Sequence, residues 1–257
     1  MTTVTAAALP ETGCPALWLW PGQAIYAGPA LDLGPHSGSV ACLAVGVDDV
    51  FTVDGLAVRT ALIAPRFRHH LVAHGDRMVF CYLDVASTRE QACRSRMAHG
   101  TGPVRHGHVE EAGLVSTGAR LDSETVPYWL DLAGPVSPGA VDERVAAAVR
   151  RLLGHPTVSA AELAAGVGLS ASRFLHLFRE HTGTSFRRYR LWARMYRVAR
   201  TIAVRGDLTA AAADAGFASP SHLSDAFHTM FGLRPSALLA TGVAIHLLDE
   251  ASVSPTG

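Results

Sequence analysis

One helical unit occurs twice between about Val158 and Leu239, and that repetition constrains the fold more than any other feature of the chain. Ala164-x-x-x-Gly168 recurs as Ala212-x-x-x-Gly216, an offset of 48. Past the turn the offset becomes 49, so that Ser172, Phe174, Phe178 and Gly183 recur as Ser221, Leu223, Phe227 and Gly232. A helix-turn-helix needs a small residue where its second helix crosses the first. It also needs a turn residue that accepts positive φ without steric cost. Ala and Gly at this spacing meet both needs, twice.

Local signals place the helices around these units. From Val141 the chain reads as helical, with Val145, Val149, Leu152 and Leu153 on one face. Ser159-Ala160-Ala161-Glu162 is a capping box that opens the first unit. Ser170 caps the next helix, where Phe174, Leu177, Phe178 and His181 share one side and Ser172, His176 and Arg179 share the other. Phe186 to Ala203 reads as a joining helix with Phe186, Tyr189, Ala193, Tyr196, Ala199 and Ala203 turned inward. In the second unit Ser219 caps and Pro220 takes the first helical position, where its missing N–H costs nothing. Leu223, Ala226, Phe227 and Met230 face the core there, and Ser221, Asp225 and His228 face outward.

Charge divides the chain in two. Residues 140–240 hold 13 Arg against 7 acidic residues, a formal +6, whereas residues 1–139 hold 9 Arg against 13, a formal −4. A basic helical half of this kind favours a polyanion. All 22 basic residues are Arg, in both halves alike, which reads as a composition bias of the source genome. The four cysteines show no zinc-ligand spacing and read as reduced thiols of a cytoplasmic protein. Met1 to Pro10 has neither the basic nor the apolar segment of a signal peptide, and no run approaches the roughly 20 apolar residues of a membrane helix. The expectation is a soluble, cytoplasmic chain.

The amino-terminal half reads as β-rich. Leu17 to Trp20, Val40 to Val47, Phe51 to Val53, Leu56 to Ala64 and Met78 to Val85 are strand-like runs, with Asp54-Gly55 as a tight hairpin turn. Ser87 to Glu90 is compatible with a second capping box, starting a helix to about Met97. The Gly- and His-rich stretch from His99 to Arg120 has no assignable pattern, and residues 134–139 read as a linker. The fold class is therefore α+β: a β-barrel or sandwich followed by an all-α domain of two helix-turn-helix units joined by a long helix. The corresponding boundaries are 1–133, a linker at 134–140, the helical domain at 141–241, and a tail at 242–257.

In its C-terminal half the sequence closely resembles the AraC/XylS family of transcriptional regulators. The carriers are Leu163-Ala164…Gly168-Leu169-Ser170, Phe174…Phe178-Arg179…Gly183, Tyr189…Arg194…Ala199, and Ala212…Ala215-Gly216-Phe217…Ser221-His222-Leu223…Phe227…Phe231-Gly232…Pro235. The resemblance extends to a cupin-like sensor domain through Pro35-His36, Ala64-Pro65…His69-His70 and Tyr82-Leu83-Asp84. It implies a DNA-binding transcription regulator, not an enzyme, with a recognition helix from each unit in successive major grooves of promoter DNA. RNA polymerase, a small-molecule effector and a second copy of the chain are the further partners it implies. Successive grooves lie roughly 34 Å apart, and a joining helix of about 18 residues spans roughly 27 Å, so the geometry closes once the width of the flanking units covers the remainder.

Residue chemistry then assigns roles. Ser172, Arg173, His176, Ser221, His222, Ser224 and Asp225 are the candidates for base edges, and Arg179, Arg187, Arg188, Arg190, Arg197 and His228 for phosphates. An acid at Asp225 suits only a cytosine amino group or a neighbouring Arg. Arg194 is expected to be structural, as its family counterpart is. His36, His69 and His70 are candidates for an effector pocket. His106-Gly107-His108 with Glu110 and Glu111 has metal-ligand chemistry but the wrong spacing for a metal cupin, so no metal and no cofactor are expected. Nucleophile elbows, phosphate-cradling loops and paired catalytic carboxylates are absent. A second reading is a small-molecule-binding or enzymatic cupin that its helical half merely localises to DNA, and a third is an architectural DNA binder without a sensor.

Overall fold

The structure is a computed structural model that describes residues 14–84, 87–136 and 142–248. Met1 to Pro10 and most of the proposed linker lie outside them. The first half is built on strands β1 (Ala16–Trp20), β2 (Gln23–Pro29), β3 (Ala41–Gly46), β4 (Phe51–Val53), β5 (Leu56–Val58), β6 (Thr60–Ile63), β7 (Leu71–Ala73) and β8 (Arg77–Leu83). Helix α1 (Thr88–Ser95), strands β9 (Met97–His99) and β10 (Val104–His108), and helices α2 (Glu111–Gly118) and α3 (Val126–Ala133) complete it. An eight-stranded sheet runs in the order β11-β1-β2-β8-β3-β6-β10-β9, where β11 is Ala244–Leu247, and a three-stranded sheet runs β5-β4-β7.

Alternation along β8 shows why the strands read as continuous apolar runs. Val79, Cys81 and Leu83 pack with Trp129 and Leu130 of α3 on one face, while Met78 and Phe80 pack with Phe51 and Val53 of the small sheet on the other. With both faces covered there is no polar side to the pleat. At the β4–β5 turn Asp54 and Gly55 have φ of 49° and 88°, as a two-residue hairpin requires.

Three local expectations change. Ser87 occupies the N-cap of α1, but its hydroxyl donates to Asp84 O at 2.9 Å and makes no cap bond. Glu90 meanwhile accepts from Arg94 Nε at 3.0 Å, one turn along, so the capping box there does not form. The His99–Arg120 stretch supplies the last residue of β9 and the whole of β10 and α2. The segment read as a tail is also structural: β11 pairs in parallel with β1, Ala16 opposite Ala244 and Leu19 opposite Leu247. The last strand therefore returns from the helical half to the edge of the first domain's sheet.

The second half comprises α4 (Glu143–Gly154), α5 (Ala160–Gly166), α6 (Ala171–Thr182), α7 (Phe186–Arg205), α8 (Leu208–Asp214), α9 (Pro220–Phe231) and α10 (Pro235–Ala240). Its caps follow the sequence. Ser159 and Glu162 form the capping box, Ser170 accepts from Arg173 N, and Ser219 accepts from His222 N. The left-handed glycines Gly183, Gly206 and Gly232 end α6, α7 and α9.

Candidate nucleic-acid interface

The two turns are built alike at the level of single hydrogen bonds. Leu169 N donates to Ala164 O at 2.9 Å in the first, and Phe217 N donates to Ala212 O at 2.9 Å in the second. Gly168 and Gly216 sit at φ of 69° and 75°. Ala164 and Ala212 are each 1 % exposed. The one-residue increase in offset is Ala218, inserted between the second turn and its cap, with its N–H directed at His222 Nδ1 at 3.5 Å.

Helix α7 spans 20 residues, roughly 30 Å, and braces both units. Phe178 of α6 meets Phe186 and Tyr189 of α7 edge-on at 5.8 and 5.6 Å. At the other unit Arg194 donates through Nε to Ala215 O at 2.8 Å and through Nη2 to Gly216 O, with its guanidinium 3.7 Å over the Phe217 ring. A guanidinium tied to two carbonyls and an aromatic face holds the second turn against α7.

On α6, Ser172, Arg173, His176 and Arg179 are all exposed. On α9, Ser221, His222, Asp225 and His228 are exposed and Ser224 is half-buried. Two of the α9 residues are occupied within the chain: His222 stands edge-on to Phe217 at 5.4 Å, and Ser224 Oγ accepts from Arg234 Nη1 at 3.2 Å. Of the basic residues proposed for phosphates, Arg179 and Arg187 are exposed, and Arg190 lies 5.6 Å over Phe186. Arg197 is half-buried, and its Nε has no partner.

Arg188 turns to the first domain instead of outward, and the exposed His228 stands at the same junction. Arg188 donates to Ser37 O at 3.2 Å, and His228 lies beside Gly34. The loop between β2 and β3 docks on the end of α9, with Gly34 N donating to Gly232 O at 2.8 Å and Ser37 N donating to Thr229 O at 3.2 Å. A Cβ at Gly232 would stand 2.8 Å from His36 Nδ1, which is why glycine is required there beyond its φ of 80°.

The expected effector histidines have a structural place. His36 and His69 exchange both backbone hydrogen bonds at 3.0 Å and are 7 % and 5 % exposed. Each ring nitrogen Nδ1 lies within 3.0 Å of a nearby carbonyl, Gly34 O and Phe67 O respectively. Neither belongs to the wall of the apolar cavity between the domains, and the exposed His70 lies in an open cleft with Asp32, His228 and Arg234. The apolar cavity sits between the domains, about 80 Å³, walled by Leu17, Leu19 and Tyr82 from the sheet and Trp192, Met195 and Phe231 from the helices. Its signal in the sequence is a joining helix apolar over too wide an arc: Trp192, Met195 and Val198 are buried beside the expected Tyr189, Ala193 and Tyr196. Such a helix has two partners. Of its expected inward set, Ala203 proves exposed.

Burial holds the His36 imidazole down to about 4 from its ordinary 6.5. The unfolded chain takes up that proton near pH 6.5 and the folded chain resists it to about pH 4, so acid favours unfolding. The stability contributed by neutral His36 is complete above about pH 6.5 and is lost as the pH falls toward 4. We expect a loss of roughly 3 kcal/mol across that window. Urea midpoints at intervals from pH 7 to pH 5, a range above most carboxylate titrations, check this: His36→Gln should flatten the slope, and an unchanged slope contradicts the assignment.

Two capped helix-turn-helix units, rigidly joined and each presenting an open helix face, define a DNA-binding domain. Residues 163–241 match the family model described as "Helix-turn-helix domain". The domain is an AraC-type helix-turn-helix domain, as the sequence resemblance implies. Across both domains the fold is that of ToxT from Vibrio cholerae. An apo variant from strain SCE256 matches with TM-score 0.56 at 11 % identity, covering 86 % of this chain and 97 % of that one. ToxT from strain O395 matches with TM-score 0.53 at 12 % identity, covering 85 % and 96 %. A ToxT structure with an unsaturated fatty acid bound matches with TM-score 0.51 at 12 % identity, covering 86 % and 96 %. At these identities the likeness is one of fold. No curated protein matches the sequence. Among the described residues no helix is long and apolar enough to cross a membrane, and no group of three or more His, Cys, Asp or Glu is placed to hold a metal ion.

Proposed function

We propose that this protein is a sequence-specific transcriptional regulator that sets α6 and α9 into successive major grooves of duplex DNA. The observation that carries the reading is the pair of matched turns, each holding an exposed helix face on one rigid joining helix. Ser172, Arg173 and His176 on α6, and Ser221 and Asp225 on α9, are the side chains proposed to meet base edges. Arg179 and Arg187 are proposed to meet phosphates.

Control by an effector through the first domain is the second half of the proposal. Helix α7 carries both units and lies on the sheet, where Trp192 Nε1 donates to Gly22 O at 3.0 Å and Tyr189 Oη donates to Asp84 Oδ1 at 2.9 Å. A ligand that binds one docking arrangement better than another therefore reaches both units at once. That one ToxT structure holds a fatty acid supports a ligand-responsive first domain.

Fluorescence anisotropy with a selected operator across a salt series tests the DNA half. Each phosphate contact contributes about 0.9 to the slope of log K against log salt. Arg179→Ala with Arg187→Ala should therefore lower the slope by about 2, with little change in sequence preference. A slope identical to that of the parent chain removes these residues from the interface. Binding no tighter to operator than to random duplex removes the regulator reading itself.

A further inference from the structure

Helix α6 carries a large apolar side chain that its packing does not use. Phe174, Leu177 and Phe178 are buried beneath the helix, whereas Leu175 is 42 % exposed. It belongs to none of the three hydrophobic clusters among the described residues, although Val167 and Leu169 of the preceding turn pack against the first of them. A single exposed leucine is ordinary on a protein surface. The place of this one is not: among the described residues it is the one large exposed apolar side chain on either α6 or α9.

Side chains three and four apart are neighbours on a helix surface. Leu175 therefore stands beside Ser172 and beside Arg179, both exposed. It is the fifth residue of α6, in the N-terminal half that in a recognition helix comes closest to base edges. The second unit differs at the equivalent place. At the offset of 49, Leu175 recurs as Ser224, whose Oγ accepts from Arg234 Nη1 at 3.2 Å. A hydroxyl engaged by a guanidinium offers no apolar surface, so only the first unit presents one.

The chemistry of the groove says what such a side chain can recognise. Leucine neither donates nor accepts a hydrogen bond, so the donor and acceptor pattern of a base pair is closed to it. Thymine alone presents a methyl group in the major groove. A leucine held there gains by burying that methyl and loses by covering the polar edge of another base. We propose that Leu175 is a specificity-determining residue that reads the 5-methyl group of a thymine in the half-site under α6. This rests on the regulator reading above and adds a base preference that the polar candidates on the same face do not supply.

The full chain is tested on its selected operator with each thymine replaced in turn by deoxyuridine. That exchange removes the methyl and keeps every hydrogen-bonding group of the base pair. At the thymine under Leu175, loss of one buried methyl should weaken binding about fourfold. In Leu175→Ala the same exchange should change affinity by less than about twofold. Leu175→Met keeps an apolar reach and should keep most of the fourfold effect. Each comparison is a ratio within one variant, so a change in overall affinity does not disturb it. Leu175 is unpacked and alanine is the better helix former, so Leu175→Ala should also keep the parent Tm. A methyl response equally large in Leu175→Ala, or an operator in which no thymine responds, overturns the proposal. If that occurs while the parent chain binds its operator tightly and with a steep salt dependence, only this inference falls. A parent chain that prefers its operator no more than random duplex removes the regulator reading, and this assignment with it.

Discussion

Phe178→Ala is expected to destabilise the helical domain by about 3–5 kcal/mol and to abolish operator binding. The ring is fully buried and meets Phe174 at 5.7 Å, Phe186 at 5.8 Å and Tyr189 at 5.6 Å. It thus ties α6 to the joining helix, and truncation leaves a cavity at the centre of an aromatic cluster. Its repeat counterpart, Phe227, is only half-buried and packs on Phe231 at 4.5 Å. Phe227→Ala should therefore lose less, about 1–3 kcal/mol, although the two positions are equivalent in the repeat. Urea unfolding of both variants decides the matter; equal losses, or a loss below about 1 kcal/mol at Phe178, contradict the packing argument.

Trp192→Ala is expected to uncouple the two domains. Its indole is 3 % exposed, lies 5.6 Å from Tyr82 and donates to Gly22 O at 3.0 Å. Truncation removes about 3–5 kcal/mol of packing and leaves the Gly22 carbonyl without its donor. Calorimetry should then resolve two transitions in place of one, since cooperativity between domains depends on their interface. Trp192→Phe keeps most of the ring and loses the hydrogen bond, so it should cost only about 1 kcal/mol and keep a single transition. One unchanged transition for Trp192→Ala shows that the docking is carried elsewhere, for instance by the β1–β11 pair.

The helical half was legible almost residue by residue. Ser159, Ser170 and Ser219 cap as their spacing implies, Gly168 and Gly216 hold the turns, and Phe174, Leu177, Phe178, Leu223 and Met230 are buried. Each of these features depends on residues within one or two helical turns, so the signal lies inside a short window. The first half was legible only where a turn fixed the register, as at Asp54-Gly55. Strand β2 escaped notice because it follows one break signal, Pro21-Gly22, directly and contains another, Gly28-Pro29, at its own end. The stretch from His99 to Arg120 escaped because β10, the strand it holds whole, shows no alternation of buried and exposed residues.

The outward candidates divide by a property that spacing does not encode. His176 and Arg179 stay open to solvent, whereas Arg188, on an equally plausible helix face, turns to the loop between β2 and β3. His36 and His69, read as pocket histidines by composition, are brought together by a backbone bridge between segments 33 residues apart. Pairing at such a distance leaves no trace in either segment.

By itself the sequence determined that this chain carries two helix-turn-helix units on one joining helix, because glycine dihedrals, serine caps and helical periodicity are local properties of a few residues. Only the tertiary structure decided what that tool is attached to and how. The parallel pairing of β11 with β1, the second buried face of α7 and the apolar cavity between the domains all arise where distant segments meet. The energy that selects those meetings is burial and hydrogen bonding across the fold, summed over many residues and marked by no spacing along the chain.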